Sequence, residues 1–311
     1  MSARVLVLTD GKAGHENQSK AFARALGCDF DLLPVRFRFA GAKALSYLLD
    51  RFGVRTTRLL SFARPLADLH AASYRAVLGT GSGTFYAVKA LARKLGLPSG
   101  VVLYPRGYAL KSFTCILAPQ FDNPPAAANI VPVPANVVVT DDARQAAAVA
   151  SFKARFDGNF RDPVAVVIGG PNKCSTMTAR WMARELDALF AETPGRPHWV
   201  TTSRRTPAEI EALLARYPWD YALYYSKDRY NPIPAFVSLA KTLYVTAEST
   251  GMISEACSTG AAEVRVLDNL DAGPNKFRRF VDGLTAGGYM DGSRKIDLSD
   301  AIAAARRLLG I

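Results

Sequence analysis

Asp10-Gly11-Lys12-Ala13-Gly14-His15-Glu16-Asn17-Gln18 brings an imidazole, two carboxylates and two glycines into one short stretch. Such a set can take a proton from a hydroxyl. A neutral imidazole beside a helix start is suited to general-base work near neutral pH. Asp10 can orient it, or hold the loop by accepting backbone N–H bonds. Glu16 and Asp10 are rival bases. Gly11 and Gly14 let the backbone turn tightly and approach a ligand closely. The chain has three histidines, and this one sits in the loop where chemistry is expected; a histidine that only caps the helix is the plainer alternative.

Three turns in the second half suit an anion instead. Gly169-Gly170-Pro171-Asn172-Lys173-Cys174-Ser175-Thr176 lies between an apolar run and a helical pattern. Free amides at a helix start, with the dipole behind them, form an anion site, and Lys173, Ser175 and Thr176 add donors. The run matches neither the dinucleotide fingerprint nor the P-loop, and a plain turn capped by Ser175 or Thr176 is the alternative. Ser203-Arg204-Arg205-Thr206-Pro207 puts adjacent arginines before a helix-opening proline. A guanidinium there suits a phosphate or carboxylate, with one of the two left on the surface. In Glu248-Ser249-Thr250-Gly251-Met252, hydroxyls and amides face a phosphate, and Glu255 further on could accept two ribose hydroxyls.

Short β-branched runs alternating with amphipathic stretches predict βαβ units around parallel sheets. RVLVLT is a first strand, followed by the histidine loop and a helix through SKAFARALG. FDLLPVRF, AVLGTG, GVVLYP, TCILAPQFD and NIVPVPANVV continue the sheet. The pattern restarts after DDARQAAAVASFKARFDGNF, with VAVVIGG, HWVTTS, YALYYS, TLYVTAES and AEVRVLD as strands. The expected fold class is α/β: two Rossmann-like, doubly wound domains, 1–150 and 151–311, with the last helix able to pack back on the first domain. Ligands in such sheets bind outside the carboxyl ends of the strands, where all four turns fall.

Composition narrows the classes. An apolar fraction of 49% and a charged fraction of 21% over 311 residues describe a folded globular protein. The longest apolar runs are too short to cross a bilayer, and the opening residues read as a strand rather than a signal peptide. Four scattered cysteines (Cys28, Cys115, Cys174, Cys257) without a CxxC pair suggest neither a zinc cage nor a disulfide framework, and hence a reducing cytoplasm. The net charge of +12 is uneven: residues 1–150 hold 18 Lys and Arg against 9 Asp and Glu. Much of that excess lies between Arg36 and Arg75, which fits an anionic partner such as a membrane surface, a lipid-linked acceptor or nucleic acid, or a solvated face. No aromatic-and-basic recognition motif supports nucleic acid. HExxH, paired-histidine and GxSxG motifs are missing, and the Asp29-Phe30-Asp31 pattern falls at a strand start, away from the ligand end. No metal is expected.

With these turns identified, the chain resembles the mitochondrial-fission family named for a plant protein whose loss elongates mitochondria, a family with many bacterial members. The resemblance runs over nearly the whole length. It rests on DGKAGHENQ at 10–18, GGPN at 169–172, SRRTP at 203–207, YNPIPAFVSLAK at 230–241 and VTAESTGMISEACSTG at 245–260. Members more often carry Asp-Ser where Glu248-Ser249 stands, and GTGSGT at 79–84 lacks the arginine or histidine expected after its glycines.

The resemblance implies a build like that of GT-B glycosyltransferases, two Rossmann-like domains facing across a cleft. It puts a histidine base at His15. It puts the donor's diphosphate and ribose at Ser249, Gly251, Met252 and Glu255. Taken with the turns themselves, the expected donor contacts are Gly169, Gly170, Asn172, Lys173, Ser203, Arg204, Arg205, Tyr230, Asn231, Glu248 and Thr250 as well. The implied activity is metal-independent, inverting transfer of a sugar from a nucleotide-sugar donor to a lipid-linked or lipopolysaccharide-like acceptor, with no cofactor beyond the co-substrate. A non-hydrolysing sugar-nucleotide epimerase and a non-catalytic membrane-associated scaffold are the alternatives. The implied location is the cytoplasm, peripheral at the inner membrane through the basic 36–75 region.

Overall fold

RVLVLT forms β1 (Arg4–Thr9), buried along its last five residues. Leu6 and Leu8 join one core and Val5 and Val7 another, because a central parallel strand has both faces covered and needs no polar side. The computed structural model describes residues 3–138, 142–259 and 262–311.

From β1 the chain runs through α1 (Ala13–Ala25), β2 (Asp29–Phe37), α2 (Ala42–Arg51), β3 (Leu60–Phe62), β4 (Val77–Thr80), α3 (Phe85–Leu95), β5 (Ser99–Val102), β6 (Cys115–Pro119) and β7 (Ile130–Val133). Their sheet has the order β3-β2-β1-β4-β5-β6-β7. Every pairing is parallel except the edge strand β3, which is antiparallel to β2. Neither α2 nor β3 is anticipated from the sequence. The reason for α2 is visible: Leu48 and Phe52 at its end are exposed, so its apolar residues do not trace a single inward stripe. α2 and α3 are pinned together by a buried ion pair. Lys89 Nζ donates to both Asp50 oxygens at 2.8 and 2.7 Å and to the Ala109 carbonyl at 2.8 Å. Burial pushes the lysine down to about 8.

The second unit begins with α4 (Asp142–Arg155) and continues through β8 (Val164–Ile168), α5 (Ala179–Glu192), β9 (His198–Thr202), α6 (Ala208–Leu214), β10 (Tyr221–Leu223), α7 (Ile233–Leu239), β11 (Thr242–Thr246), α8 (Thr250–Thr259), β12 (Glu263–Leu267) and α9 (Lys276–Ala286). Its all-parallel sheet has the order β10-β9-β8-β11-β12. A final helix, α10 (Ser299–Leu309), returns to the first unit.

The division of the chain differs from 150/151. One unit comprises Met1–Val139 with Asp297–Ile311, the other Thr140–Ile296. α4 belongs to the second unit because its Phe152 is fully buried there. The ring meets Trp199, Tyr221 and Phe236 at centroid distances of 5.2, 4.8 and 5.4 Å. The last helix belongs to the first unit because Ile302, Ala305 and Leu309 complete the core behind β6 and β7, and Arg306 donates to the Leu26 carbonyl. Asp141 at the head of the expected helix and Gly260 at the end of the 245–260 run lie outside the described residues. Among the described residues, no helix is long and apolar enough to cross a membrane.

Candidate functional site

In each unit the strand connections diverge between the first and fourth strands, β1 and β4 in one and β8 and β11 in the other. Such switch points open a crevice at the carboxyl ends of the strands. The unusual turns lie there.

At the β1/β4 switch, α1 begins at Ala13, so His15 is the third residue of the helix rather than part of the loop. Its Nδ1 lies 3.0 and 3.2 Å from the two Asp10 oxygens. A proton on Nδ1 donated to Asp10 leaves Nε2 as the basic nitrogen. The Asp10 side chain is nearly buried, whereas His15 keeps 24% of its side-chain surface exposed. The carboxylate is held inside while the imidazole edge remains reachable.

The β4 turn makes room for both. A side chain on Gly81 would occupy the His15 ring, and one on Gly83 would collide with the Asp10 carboxylate. Gly81 also has φ +83°, a conformation that favours glycine. GTGSGT therefore has a use that needs no arginine or histidine: its glycines are the seat of the Asp10–His15 pair. The glycine spacing was the available signal, but only the tertiary fold shows what fills the space. Ser19 and Thr80 hydroxyls pair at 2.6 Å beneath the turn, and Lys43 reaches Ser82 at 2.9 Å.

Glu16 is occupied elsewhere. Lys20 Nζ donates to one oxygen at 2.6 Å and the Thr9 hydroxyl to the other at 2.9 Å. Lys20 and then Thr9 hold its carboxyl below the usual range, which makes it a poorer base. Gly11 has φ +78° and donates to Thr9 Oγ1 at 3.1 Å. Gly14 is helical with open space around it, so the turn does not need a glycine there. A cavity of about 330 Å³ adjoins the pair, lined by Thr9, Asp10, Gly11, Arg36, Ser61 and Phe62 among others.

The β8/β11 switch is filled by protein. The expected free amides of Gly169 and Gly170 are not free: they donate to Thr246 Oγ1 at 2.9 Å and to Glu248 Oε1 at 2.8 Å. Nor does a helix start there. α5 begins at Ala179 with the Thr178 hydroxyl accepting from Trp181 N at 3.2 Å, later than the Ser175 or Thr176 expected. Asn172 instead closes a tight loop, its Oδ1 accepting from Cys174 N at 2.8 Å, with Lys173 exposed beside it. Ser175 is buried, and Thr176 donates to Asp271 at 2.7 Å.

Glu248 is the hub of this switch. It is buried, and Oε1 also accepts from Ser249 Oγ at 2.7 Å and Thr246 Oγ1 at 3.1 Å. Its Oε2 is buried without a hydrogen-bond partner. Arg205 is the inward arginine of the pair: Nη1 donates to the Gly170 carbonyl at 2.7 Å and Nη2 lies 3.7 Å from Glu248. Arg204 is exposed. The Ser203 hydroxyl accepts from Arg205 N at 3.2 Å, and Thr206 bonds the Ile168 and Gly169 carbonyls. A side chain on Gly169 would strike Glu248 and Ser249, and one on Gly170 would strike the Arg205 backbone.

Beyond this plug the switch is open. Ser249 precedes α8, and Gly251 is exposed with no atom within 4 Å of where its side chain would be. The Gly251 and Met252 amides lie in the first helical turn, whose N–H groups have no intrahelical acceptor. Glu255 is one turn along from Gly251 on the same face. Burial raises its carboxyl, and Arg144 opposes the shift. Thr250 is the first residue of the helix. Tyr230 and Asn231 follow β10. The Tyr230 hydroxyl is buried without a hydrogen-bond partner, Arg155 lies 4.2 Å over its ring, and Asn231 Oδ1 accepts from Ile233 N at 3.2 Å. Among the described residues, no group of three or more His, Cys, Asp or Glu is arranged to hold a metal ion.

Thr9, Gly81, Gly83, Thr206 and Thr246 were not anticipated as parts of these sites. Thr9 bonds Gly11 and Glu16 nearby, and the other four fill or vacate space next to residues far away in the chain.

Known structures share this architecture. UDP-GlcNAc 2-epimerase from Neisseria meningitidis bound to UDP-GlcNAc is 12% identical, with 100% of this chain and 98% of that chain covered and a TM-score of 0.53. The Methanocaldococcus jannaschii UDP-GlcNAc 2-epimerase in complex with UDP-GlcNAc and UDP is 11% identical, with coverage of 100% and 99% and a TM-score of 0.53. The glycosyltransferase SnogD from Streptomyces nogalater is 14% identical, with coverage of 100% and 96% and a TM-score of 0.49. At these identities the two epimerase likenesses show the fold, which is of the GT-B type. No curated protein sequence matches the chain. A family model, Mitochondrial fission ELM1, matches residues 13–309. His15 and the motifs around Gly169, Ser203 and Glu248 lie within that span, and the chain belongs to the Mitochondrial fission ELM1 family.

Proposed function

We propose that the protein is a metal-independent, inverting glycosyltransferase acting on a nucleotide-sugar donor. The observation that carries this reading is the Asp10–His15 pair, an imidazole with one nitrogen on a nearly buried carboxylate and the rest of its ring reachable. A base oriented by a third group is the arrangement that activates a hydroxyl.

In this reading His15 Nε2 takes the proton of the acceptor hydroxyl as its oxygen attacks the anomeric carbon. The bond from that carbon to the nucleotide diphosphate breaks on the opposite face, and the electron pair leaves with the phosphate. Asp10 offsets the charge gained by the imidazole. The second unit takes the donor. Gly251 and Met252 amides at the start of α8 meet the diphosphate, Ser249 holds the turn before them through Glu248, and Arg204 and Lys173 lend charge from exposed positions. Preorganised electrostatics of this kind is usually the largest catalytic contribution. Glu255 accepts ribose hydroxyls, and Tyr230 and Asn231 border the nucleotide. Glu248 and Arg205 brace the turn, and Glu16 supports the α1 start through Lys20 and Thr9.

A second reading is a sugar-nucleotide epimerase. It is favoured by the two neighbours whose structures hold UDP-GlcNAc. Donor incubated alone separates the two: an epimerised sugar supports the second, and an intact or slowly hydrolysed donor the first. A melting panel of UDP-, GDP-, ADP-, dTDP- and CMP-linked sugars tests both. Ligand at about 100 times its Kd adds roughly 2.7 kcal/mol, and no shift with any of them would remove the nucleotide sugar from the account.

A further inference from the structure

Among the described residues, the large apolar side chains that are exposed fall between residues 32 and 54: Leu32, Phe39, Leu48, Phe52 and Val54. Four of them flank or lie on α2. Ala44, Leu48 and Phe52 are exposed at four-residue spacing, which places them on one side of the helix. Phe52 keeps 72% of its surface in water. Single exposed apolar residues are ordinary, but several on one helix and its flanks, set among basic residues, mark a docking surface.

Beside this group is a cavity of about 530 Å³ lined by Val54, Arg55, Thr56, Thr57, Arg93 and Lys94, together with Gly53 and Ala90. Three cations converge on it from two elements. Arg93 Nη1 is braced on the Gly53 carbonyl at 3.3 Å. Arg55 Nε lies 3.7 Å from Asp50, but both oxygens of that carboxylate are already taken by Lys89. The positive charge at the cavity is therefore not neutralised from within. Arg36, Arg38, Lys43, Arg51, Arg58 and Arg64 extend it, and Asp50 is the sole acid from 36 to 64.

We propose that α2 and the adjoining cavity dock the protein on an anionic phospholipid bilayer. Phe39, Leu48, Phe52 and Val54 enter the interface, and one lipid phosphate is held by Arg55, Arg93 and Lys94. Apolar side chains within a cationic rim match the two layers of such a surface, acyl carbon below and phosphate above. The inference does not depend on the proposed reaction.

The test is co-sedimentation of the full chain with large vesicles of phosphatidylcholine alone or with a third phosphatidylglycerol. Binding is expected only to the anionic vesicles and should be lost on going from about 0.1 M to about 1 M salt, as the screening length falls from about 10 to about 3 Å. Phe52→Ser should weaken binding roughly tenfold or more, the worth of an aromatic side chain returned to water. Arg93→Gln with Lys94→Gln should weaken it by about fivefold per charge. Both variants alter exposed positions and should keep the wild-type melting temperature. Leu48→Ser provides a second apolar probe should either variant fail that control. Equal binding to neutral vesicles, no response to the variants, or stabilisation by soluble glycerol phosphate without vesicle binding would overturn the proposal. So would a concentration-dependent dimer that Phe52→Ser abolishes while vesicles are ignored.

Discussion

The two switch points share a topology and differ in what fills them. At β1/β4 the glycines of the fourth-strand turn vacate space, and the Asp10–His15 pair from the first-strand turn moves into it, with one edge left open. At β8/β11 the glycines follow the first strand, and the space is filled by Glu248, Ser249 and Arg205. One set of glycines seats the Asp10–His15 pair. The other seats a hydrogen-bonded plug that holds three turns together. Glycines beside a switch point can thus make room for quite different groups, and the neighbours of each glycine reveal which.

The comparison breaks if the same kind of substitution has the same kind of effect at both places. His15→Ala should lower turnover by about 100- to 10,000-fold, with the sugar-nucleotide melting shift retained. Loss of both would move nucleotide binding to the first switch. Gly170→Ala should act mainly on stability, since its side chain would strike the Arg205 backbone. A cost of about 2–3 kcal/mol and a drop in Tm of several degrees are expected. Gly81→Ala should reverse that balance. It displaces a ring that has open space on its other side and forces alanine into a left-handed conformation at about 1 kcal/mol. Activity should fall at least tenfold with a small change in Tm, and a large Tm loss with normal activity in the survivors would contradict it.

Glu255 sharpens the comparison most gently. Burial raises its carboxyl, so the folded chain binds that proton more tightly than the unfolded chain. Its contribution to stability is greatest below the ordinary value of 4.5 and declines as the pH climbs through the raised one. Glu255→Gln removes the decline. The variant should gain in Tm relative to wild type as the pH rises from 4 towards neutrality, while its response to sugar nucleotide weakens. A Tm difference that does not vary with pH would show that Glu255 does not titrate in this range.

Much of the architecture was legible because period and punctuation are local. Buried runs such as VAVVI at 164–168 and the turns after them mark strand ends without reference to the rest of the chain. α2, β3 and α9 were not legible, because their sides depend on what lies opposite. His15 was visible as a candidate base beside a helix start, but the sequence left Asp10 open as rival base, orienter or loop anchor, and only the fold pairs it with His15 and pairs Glu16 with Lys20 and Thr9. The free amides expected at Gly169 and Gly170 failed for the same reason. An amide is an anion site only if no side chain from a distant strand reaches it first, and Thr246 and Glu248 do.

By itself, then, the chain determined two α/β sheets, the order of their strands along the sequence and the four turns at the strand ends, since these follow from hydrophobic period and turn chemistry. Tertiary structure alone decided that α4 joins the second unit, which residues of the first unit α10 packs on, that GTGSGT seats an acid–histidine pair, and that the GGPN turn is closed by Glu248. Each is a contact between residues dozens or hundreds of positions apart, and burial and close packing at such distances leave no trace in local spacing.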